Sequence, residues 1–237
     1  MIAGVAAAAA AIGVAGAWAT RGRSSQVFGP SIWHGDRSRK AVALTFDDGP
    51  TIGTLDLLEV LDRYQVKATF FQIGRHAEQS PDIARAVSKA GHEIGNHTYN
   101  HRALWLEPSQ TIANEIDRAQ SVLTAIHGSA PRWFRAPYGV RWFGLSKALA
   151  RHNMTGVMWT TIARDWVLPA DRIAARLKAG IAPGAIYCLH DGRGISSNPD
   201  IRPTIKAMEE IIPRLRDQGY HLGTVSHLVC QKNSSSA

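Results

Sequence analysis

Apolar runs of strand length alternate with stretches of helical hydrophobic spacing from residue 41 onward. The runs predict strands over residues 41–46, 67–73, 93–95, 133–139, 155–161, 185–189 and 221–224. The helical spacing predicts helices over residues 55–64, 80–90, 108–127, 143–151, 169–179 and 203–218. This alternation is typical of the α/β class with a mainly parallel sheet, either open or closed into a barrel.

The N-terminal segment has a different character, because residues 2–18 carry no charge and consist mostly of small apolar residues. Ala17-Trp18-Ala19 has the small-x-small form that signal peptidases cut, although the basic residues follow the apolar run instead of preceding it. We therefore expect residues 1–20 to be a signal peptide or membrane anchor, and the protein to be exported or membrane-anchored, facing the cell envelope. A linker (21–40), one domain (41–230) and a polar tail (231–237) complete the predicted organisation.

Composition narrows the classes of partner. The chain of 237 residues has a formal charge of +8 and a pI near 9.9, which favours anionic surfaces. Its basic residues are scattered, so nucleic acid is not an expected partner, whereas an anionic cell wall or membrane surface fits. The presence of only two cysteines excludes a disulfide-rich scaffold.

Polar residues of catalytic type follow the predicted strands. They are Asp47, Asp48, His97, Arg135, Asp165 and His190. Because functional residues gather at the carboxyl ends of parallel strands, we expect these side chains to meet at one rim.

His97 and His101 are four residues apart, which predicts that one helical turn places both imidazoles on one side. Two imidazoles and one carboxylate suit a catalytic Zn²⁺ or a similar divalent ion, and either Asp47 or Asp48 can supply the carboxylate. The His-Glu-x-x-His pattern of zinc proteases is absent, because position 98 is Thr.

Motifs in a characteristic order give the chain a family resemblance. They are Thr45-Phe46-Asp47-Asp48-Gly49-Pro50, His97-Thr98-Tyr99-Asn100-His101, Arg135-Ala136-Pro137-Tyr138, Asp165-Trp166 and Leu189-His190-Asp191. Together they resemble the ordered motifs of the polysaccharide deacetylase family, the NodB-homology group or carbohydrate esterase family 4. The resemblance covers about residues 41–229 and implies a distorted (β/α) barrel that removes acetyl groups from N-acetylated sugars by means of metal-activated water.

The resemblance also implies roles for individual residues. Zn²⁺, or another divalent metal such as Co²⁺, would be held by Asp48, His97 and His101. Asp47 would be the general base and would pair with Arg135. His190 would be the general acid, oriented by Asp165. The backbone at Tyr138 would donate to the oxyanion, and Trp166 and Cys188 would contact the substrate.

Two positions depart from the family pattern. Ile162 stands where the family often has an acidic residue, and Cys188 stands where it usually has an aliphatic side chain lining the acetyl pocket. Since strand side chains alternate, Cys188 should share a face with His190. We expect Cys188 to be a reduced thiol facing this pocket and not to form a disulfide with Cys230.

The expected substrate is an acetylated glycan rich in N-acetylhexosamine, with peptidoglycan first and chitin-like oligomers second, bound in an open groove. Alternatives are an O-acetyl esterase acting on xylan-type polymers, a deacetylase of lipid-linked sugars, and a catalytically inactive carbohydrate-binding module on the same fold. Membrane association would come through the N-terminal segment, and no protein partner is predicted.

Overall fold

The computed structural model of the protein describes residues 13–196 and 198–229. Within these ranges, nine parallel strands form one sheet that curls into a half-barrel, with helices around it. Across the sheet, the strands follow the order of residues 31–32, 155–157, 133–134, 93–96, 69–72, 41–47, 185–190 and 161–162. The strand at 221–223 pairs with the one at 41–47 beside this path. The predicted α/β fold with a distorted, mainly parallel barrel is confirmed.

The strands are β1 (Ser31–Ile32), β2 (Ala41–Asp47), β3 (Thr69–Gln72), β4 (Glu93–Asn96), β5 (Trp133–Phe134), β6 (Thr155–Val157), β7 (Thr161–Ile162), β8 (Ala185–His190) and β9 (His221–Gly223). The helices are α1 (13–21), α2 (Ile52–Arg63), α3 (Gly74–Gln79), α4 (Pro81–Lys89), α5 (Ser109–His127), α6 (Leu145–Arg151), α7 (Ala170–Ala179), α8 (Arg202–Asp217) and α9 (Val225–Val229). A short 3₁₀ turn spans Pro137–Gly139.

The central strand β2 is buried along its whole length, as expected for a strand of a parallel sheet that is covered on both faces. Val42, Leu44 and Phe46 pack in the large core between the sheet and the helices. Ala41 and Ala43 point the other way, into a smaller cluster inside the curl of the sheet. Because strand side chains alternate, Thr45 and Asp47 share this inner face with the two alanines.

Two predicted strands are wrong in their extent. Of residues 133–139, only Trp133–Phe134 form a strand, and Pro137–Gly139 form the 3₁₀ turn that the ring of Pro137 begins. Residues 155–161 were predicted as a single strand, but β6 and β7 are separate and lie near opposite edges of the sheet. Residues 158–160 carry the chain across the opening, where the Met158 amide donates to Ile32 and the Thr160 amide donates to Ile186. Local hydrophobicity could not reveal this crossing, since it depends on where the two edges of the sheet meet.

Short elements also escaped prediction. The segment predicted as a linker contributes β1, which pairs with β6, and the helices α3 and α9 had no predicted counterpart. No described helix is both long and apolar enough to cross a membrane. Residues 1–12 of the predicted signal peptide or anchor lie outside the described residues, as do Cys230 and the predicted tail 231–237.

Candidate active site

The C-terminal ends of β2 and β8 bring three of the predicted residues together. In the parallel register, Asp47 is paired with His190 and Thr45 with Cys188. The alternation of both strands directs these four side chains to the inner face of the sheet. Asp47, Cys188 and His190 consequently offer ligand or proton-transfer atoms within 4.8 Å of one another.

Asp48, His97 and His101 form a second group directly beside the first. Asp48 Oδ1 lies 3.2 Å from His97 Nε2 and 3.0 Å from His101 Nε2, and all three residues are buried. Burial by itself raises the pKa of Asp48, but the adjacent imidazoles of His101 and His97 lower that pKa well below its usual range. Asp48 is therefore the carboxylate that the structure brings to the histidine pair.

The histidine pair does not lie on a helical turn, so that prediction is wrong. Residues 97–101 form a loop in which Thr98 and His101 have left-handed backbone angles, with φ of 66° and 56°. Asn96 Oδ1 accepts the Thr98 amide at 2.9 Å, and Thr98 Oγ1 accepts the His101 amide at 3.1 Å. These side-chain bonds stabilise a tight turn that brings the two imidazoles together.

The atoms of this group fit a divalent cation. His97 Nδ1 lies 2.7 Å from the Arg135 carbonyl oxygen, which can only accept, so Nδ1 carries the proton. In the neutral ring, Nε2 then presents a lone pair to Asp48 Oδ1, itself a buried oxygen without a hydrogen-bond partner. Lone pairs converge here, and a bound metal ion would satisfy them.

Arg135 is fully buried and holds Asp47 from behind. Its Nη1 donates to Asp47 Oδ1 and to Thr45 Oγ1, both at 2.7 Å. Nε and Nη2 donate to the carbonyls of Val157 and Met158. The guanidinium therefore has several fixed acceptors and holds the Asp47 carboxylate in one orientation.

Asp165 holds His190 in a matching way on the other strand. Asp165 Oδ1 lies 2.7 Å from His190 Nδ1, and Oδ2 accepts the His190 amide at 2.8 Å and the Thr204 hydroxyl at 2.9 Å. Burial lowers the pKa of His190, but the carboxylates of Asp165, Asp48 and Asp47 together raise it to about 9. Trp166 packs edge-on against the imidazole at 5.0 Å. His190 is thereby held protonated with Nε2 left to act.

Both groups open into one cavity of about 710 Å³. The predicted residues that line it are Asp47, Asp48, His97, His101, Tyr138, Trp166, Cys188 and His190. Arg135 and Asp165 are not among the lining residues, because each lies behind the side chain that it holds. A sequence profile described as "Polysaccharide deacetylase" matches residues 34–157 of the chain.

The chain belongs to the polysaccharide deacetylase family. A chitooligosaccharide deacetylase from a Bradyrhizobium species is 35% identical over 205 residues, covering 82% of this chain and 94% of that protein. A crystal structure of a peptidoglycan N-acetylglucosamine deacetylase is 31% identical, with a TM-score of 0.79 over 84% of this chain and 92% of that one.

A family 4 pseudoenzyme from Bacillus anthracis is also similar, at 29% identity and a TM-score of 0.77, covering 86% of this chain and 70% of that one. Deacetylases and a pseudoenzyme thus share this fold. Whether a chain of the family is active therefore depends on its site residues and not on its fold.

The structure adds residues to which the family motifs gave no role. Thr45 accepts a hydrogen bond from Arg135 and donates one to the Tyr187 carbonyl. Strand alternation could have predicted that it faces the site, because it lies two residues before Asp47 on β2. The Gly194 amide donates to Asp48 Oδ2 at 2.7 Å, and Thr204 donates to Asp165. Neither contact could be predicted from the sequence, because Gly194 and Thr204 lie far along the chain from the carboxylates that they bind.

Asp191 was quoted within the last motif but received no role. Its carboxylate accepts the Gly49 amide at 3.2 Å and the Thr54 hydroxyl at 2.7 Å, and its carbonyl accepts the Thr51 hydroxyl. These bonds tie the turn that follows Asp48 to the end of β8. Asp191 thereby positions the Asp48 carboxylate without lining the cavity.

Cys188 lies where the strand alternation predicted, buried and lining the cavity, with Sγ 3.5 Å from Asp47 Oδ2. Its thiol is free. Because Cys230 is outside the described residues, the statement that the two cysteines do not pair stays a prediction. Ile162, the other departure from the family pattern, lines the same cavity and makes its wall more apolar.

Proposed function

We propose that this deacetylase removes N-acetyl groups from an N-acetylhexosamine polymer outside the cytoplasm, with peptidoglycan as its main substrate. The observation that carries the proposal is the shared cavity, where Asp47 held by Arg135 and His190 held by Asp165 lie beside the Asp48, His97 and His101 group. This arrangement supports hydrolysis of an amide bond.

Asp47 acts as the base in this proposal. Arg135 binds its Oδ1, so Oδ2 is the oxygen that can accept a proton from a water molecule aimed at the acetamide carbonyl carbon. The Cys188 thiol donates to the same oxygen at 3.5 Å, a weak bond that water can replace.

His190 acts as the acid. Nδ1 is bound to Asp165, so Nε2–H is the group free to donate to the departing sugar nitrogen. Amide nitrogen leaves poorly until it is protonated, and a pKa raised to about 9 keeps the imidazole protonated at neutral pH. Asp47 takes up one proton of the water and His190 gives one proton to the nitrogen, so the two transfers balance. The products are acetic acid and the amine, which ionise to acetate and an ammonium group at neutral pH.

Asp48, His97 and His101 would hold the divalent cation, for which zinc suits two imidazoles and one carboxylate. When bound, such an ion supplies Lewis acidity toward the attacking water and the acetamide oxygen. The amide of Tyr138, which follows Pro137 in the 3₁₀ turn, is our proposed donor to the oxyanion.

Two cationic side chains favour an anionic glycan as the substrate. Arg21 and Arg193 line the cavity and are exposed, together with the apolar Trp166 and Ile195. The aromatic and apolar surfaces suit sugar rings, and the arginines suit the carboxylates that peptidoglycan carries and chitin lacks. The similarity to a chitooligosaccharide deacetylase makes N-acetylglucosamine oligomers the second candidate.

Acetate release from a panel of peptidoglycan, chitooligosaccharides, acetylxylan and a lipid-linked N-acetyl sugar tests the proposal. We expect release from peptidoglycan first and from chitooligosaccharides at a lower kcat/KM. Release from acetylxylan alone would show that the protein is an O-acetyl esterase instead. Release from the lipid-linked sugar alone would show that it is a deacetylase of lipid-linked sugars. Stoichiometric metal without acetate from any substrate would identify an inactive binding module.

A further inference from the structure

We propose that Asp47, Cys188 and His190 form a second, inhibitory site for thiophilic divalent cations such as Zn²⁺ and Cd²⁺. Their ligand atoms lie within 4.8 Å of one another, and none of the three residues belongs to the Asp48, His97 and His101 group. Cation binding at this site is independent of the proposed deacetylase activity, whereas the inhibition rests on it.

The distance between the sulfur and the carboxylate oxygen matches that of a tetrahedral zinc site. A Zn–S bond of about 2.3 Å and a Zn–O bond of about 2.0 Å at the tetrahedral angle place sulfur and oxygen roughly 3.5 Å apart. Cys188 Sγ and Asp47 Oδ2 are 3.5 Å apart. A cation could therefore replace the thiol proton between these atoms with little movement of either side chain.

The third ligand is already oriented for metal binding. His190 Nδ1 is bound to Asp165 Oδ1 at 2.7 Å, which leaves Nε2 as the free nitrogen of the ring. A carboxylate behind a histidine is the usual support of a metal-ligating imidazole, because it fixes the tautomer and the ring orientation. A cation at Nε2 takes the place of the proton that this nitrogen would donate in catalysis.

The thiol sets the type of cation. Burial raises the pKa of Cys188 well above its usual range, and the neighbouring Asp47 raises it further, so the thiol stays protonated when no cation is present. Binding then forms the sulfur–metal bond and releases the thiol proton to solvent, together with the Nε2 proton when His190 carries one. Soft cations that favour thiolate can drive this exchange, and Mg²⁺, which prefers oxygen ligands, cannot.

The site should be weaker than the site beside it. Arg135, 2.7 Å from Asp47, and a cation on the adjacent Asp48 both repel a second cation. The expected behaviour is saturation of the first site at low metal concentration and occupation of the second only in excess. Occupation removes the base and the acid together, so turnover stops.

Titration of the zinc-loaded protein with Cd²⁺ tests the site, with the ultraviolet thiolate-to-cadmium absorption and the released protons as readouts. Exchange at the Asp48 group gives no such band, because that group has no sulfur. We expect a saturable band with one cation per chain and at least one proton released. The control variant Cys230→Ser should behave like the wild type, and Mg²⁺ should give no band.

Cys188→Ala should abolish the band, and Cys188→Val serves the same purpose if the alanine variant folds poorly. A band that persists in these variants, a band lost in Cys230→Ser, or no band in the wild type would each overturn the site.

Inhibition is measured as acetate release from an N-acetylglucosamine oligomer, each variant relative to its own rate without Cd²⁺. Half-inhibition should coincide with half-saturation of the band in the wild type and should need at least tenfold more Cd²⁺ in Cys188→Ala. A full band with unchanged turnover would refute the inhibitory role. If the wild type releases no acetate with zinc alone, the proposed function fails, and the band still decides the cation site.

Discussion

Arg135 Nη1 lies 2.7 Å from Asp47 Oδ1, with side-chain exposures of 0% and 5% for the two residues. A pair this deeply buried is costly to desolvate, and it persists only because its remaining hydrogen-bonding groups are satisfied. Arg135 meets this condition through Thr45 and backbone carbonyls, and its guanidinium also lies 4.2 Å from the centre of the Phe71 ring. Asp47, the proposed base, is thus part of the core of the curled sheet.

Arg135→Met should lower the free energy of unfolding by about 3–5 kcal/mol, because it leaves the Asp47 carboxylate buried and unpaired. The matched control is Arg63→Met, which breaks an exposed pair with Glu209 and should cost no more than about 1 kcal/mol. Urea unfolding monitored by circular dichroism measures both changes. Equal effects of the two substitutions would contradict the importance of the buried pair.

Strand periodicity allowed the inner face of the site to be predicted from sequence. Apolar runs that end in acids or histidines located Asp47 and His190, and the two-residue repeat placed Cys188 beside them. These inferences needed only local geometry and the rule that parallel strands end on one side. The family resemblance then distinguished Asp48 from Asp47 as the carboxylate beside the histidines, which local geometry had left open.

Asp47→Asn and Asp48→Asn should separate base chemistry from metal binding. Asp47→Asn is expected to retain the metal and lose about 10²–10⁴-fold in kcat, the usual contribution of a general base. Asp48→Asn should weaken metal affinity first, since it removes the anionic ligand between the imidazoles. Isothermal titration with Zn²⁺, together with turnover at saturating metal, measures the two effects. Metal loss in Asp47→Asn with retention in Asp48→Asn would reverse the assignments.

His97→Ala or His101→Ala should remove bound metal and turnover together, because each deletes a nitrogen within 3.2 Å of Asp48 Oδ1. The exposed His221 provides a matched control, and His221→Ala should leave both quantities unchanged. Elemental analysis of the purified variants gives metal occupancy directly. Full occupancy in both site variants would disprove the ligand assignment.

The histidine loop shows where sequence reasoning fails. A spacing of four suggested a helical turn, yet the chain reaches the same result with left-handed residues at Thr98 and His101. A β-branched residue rarely adopts that conformation, so nothing in the local sequence favours it. The bonds from Asn96 and Thr98 stabilise it only once β4 has placed Asn96 in the sheet. The loop is therefore a consequence of tertiary structure.

The pH dependence of turnover should reveal the Asp165–His190 pair. His190 donates a proton only when protonated, so activity should fall as the pH rises through its pKa. Burial lowers this pKa, but Asp165, with smaller contributions from Asp48 and Asp47, raises it to about 9. Asp165→Asn removes the carboxylate charge and should move this alkaline limb toward lower pH. Profiles of kcat/KM against pH measure the shift, with the exposed Asp171→Asn as control. An unmoved alkaline limb in Asp165→Asn would show that another group supplies the proton.

The same pair should also contribute to stability with a definite sign. Since the folded pKa of His190 lies above its usual value of 6.5, its contribution is fully present below pH 6.5. It is lost as the pH rises through about 9. Urea unfolding across this range should therefore show a smaller alkaline loss in Asp165→Asn than in the wild type.

Arg21 and Arg193 should discriminate between glycans by charge, because both line the cavity and neither has a proposed part in proton transfer or metal binding. Their ion pairs with substrate would be solvent-exposed and worth about 0.5 kcal/mol each, so the double variant Arg21→Gln/Arg193→Gln should raise KM for peptidoglycan by about fivefold. KM for an uncharged chitooligosaccharide should stay within about twofold, and kcat should be unaffected for both substrates, since the arginines act in binding.

The exposed Arg172, which is not among the lining residues, provides the control Arg172→Gln. Added salt should reduce the wild-type preference for peptidoglycan and leave the double variant unchanged, because exposed pairs are screened. Equal KM increases for the charged and uncharged glycans would show that the arginines contact the sugar backbone and do not read its charge.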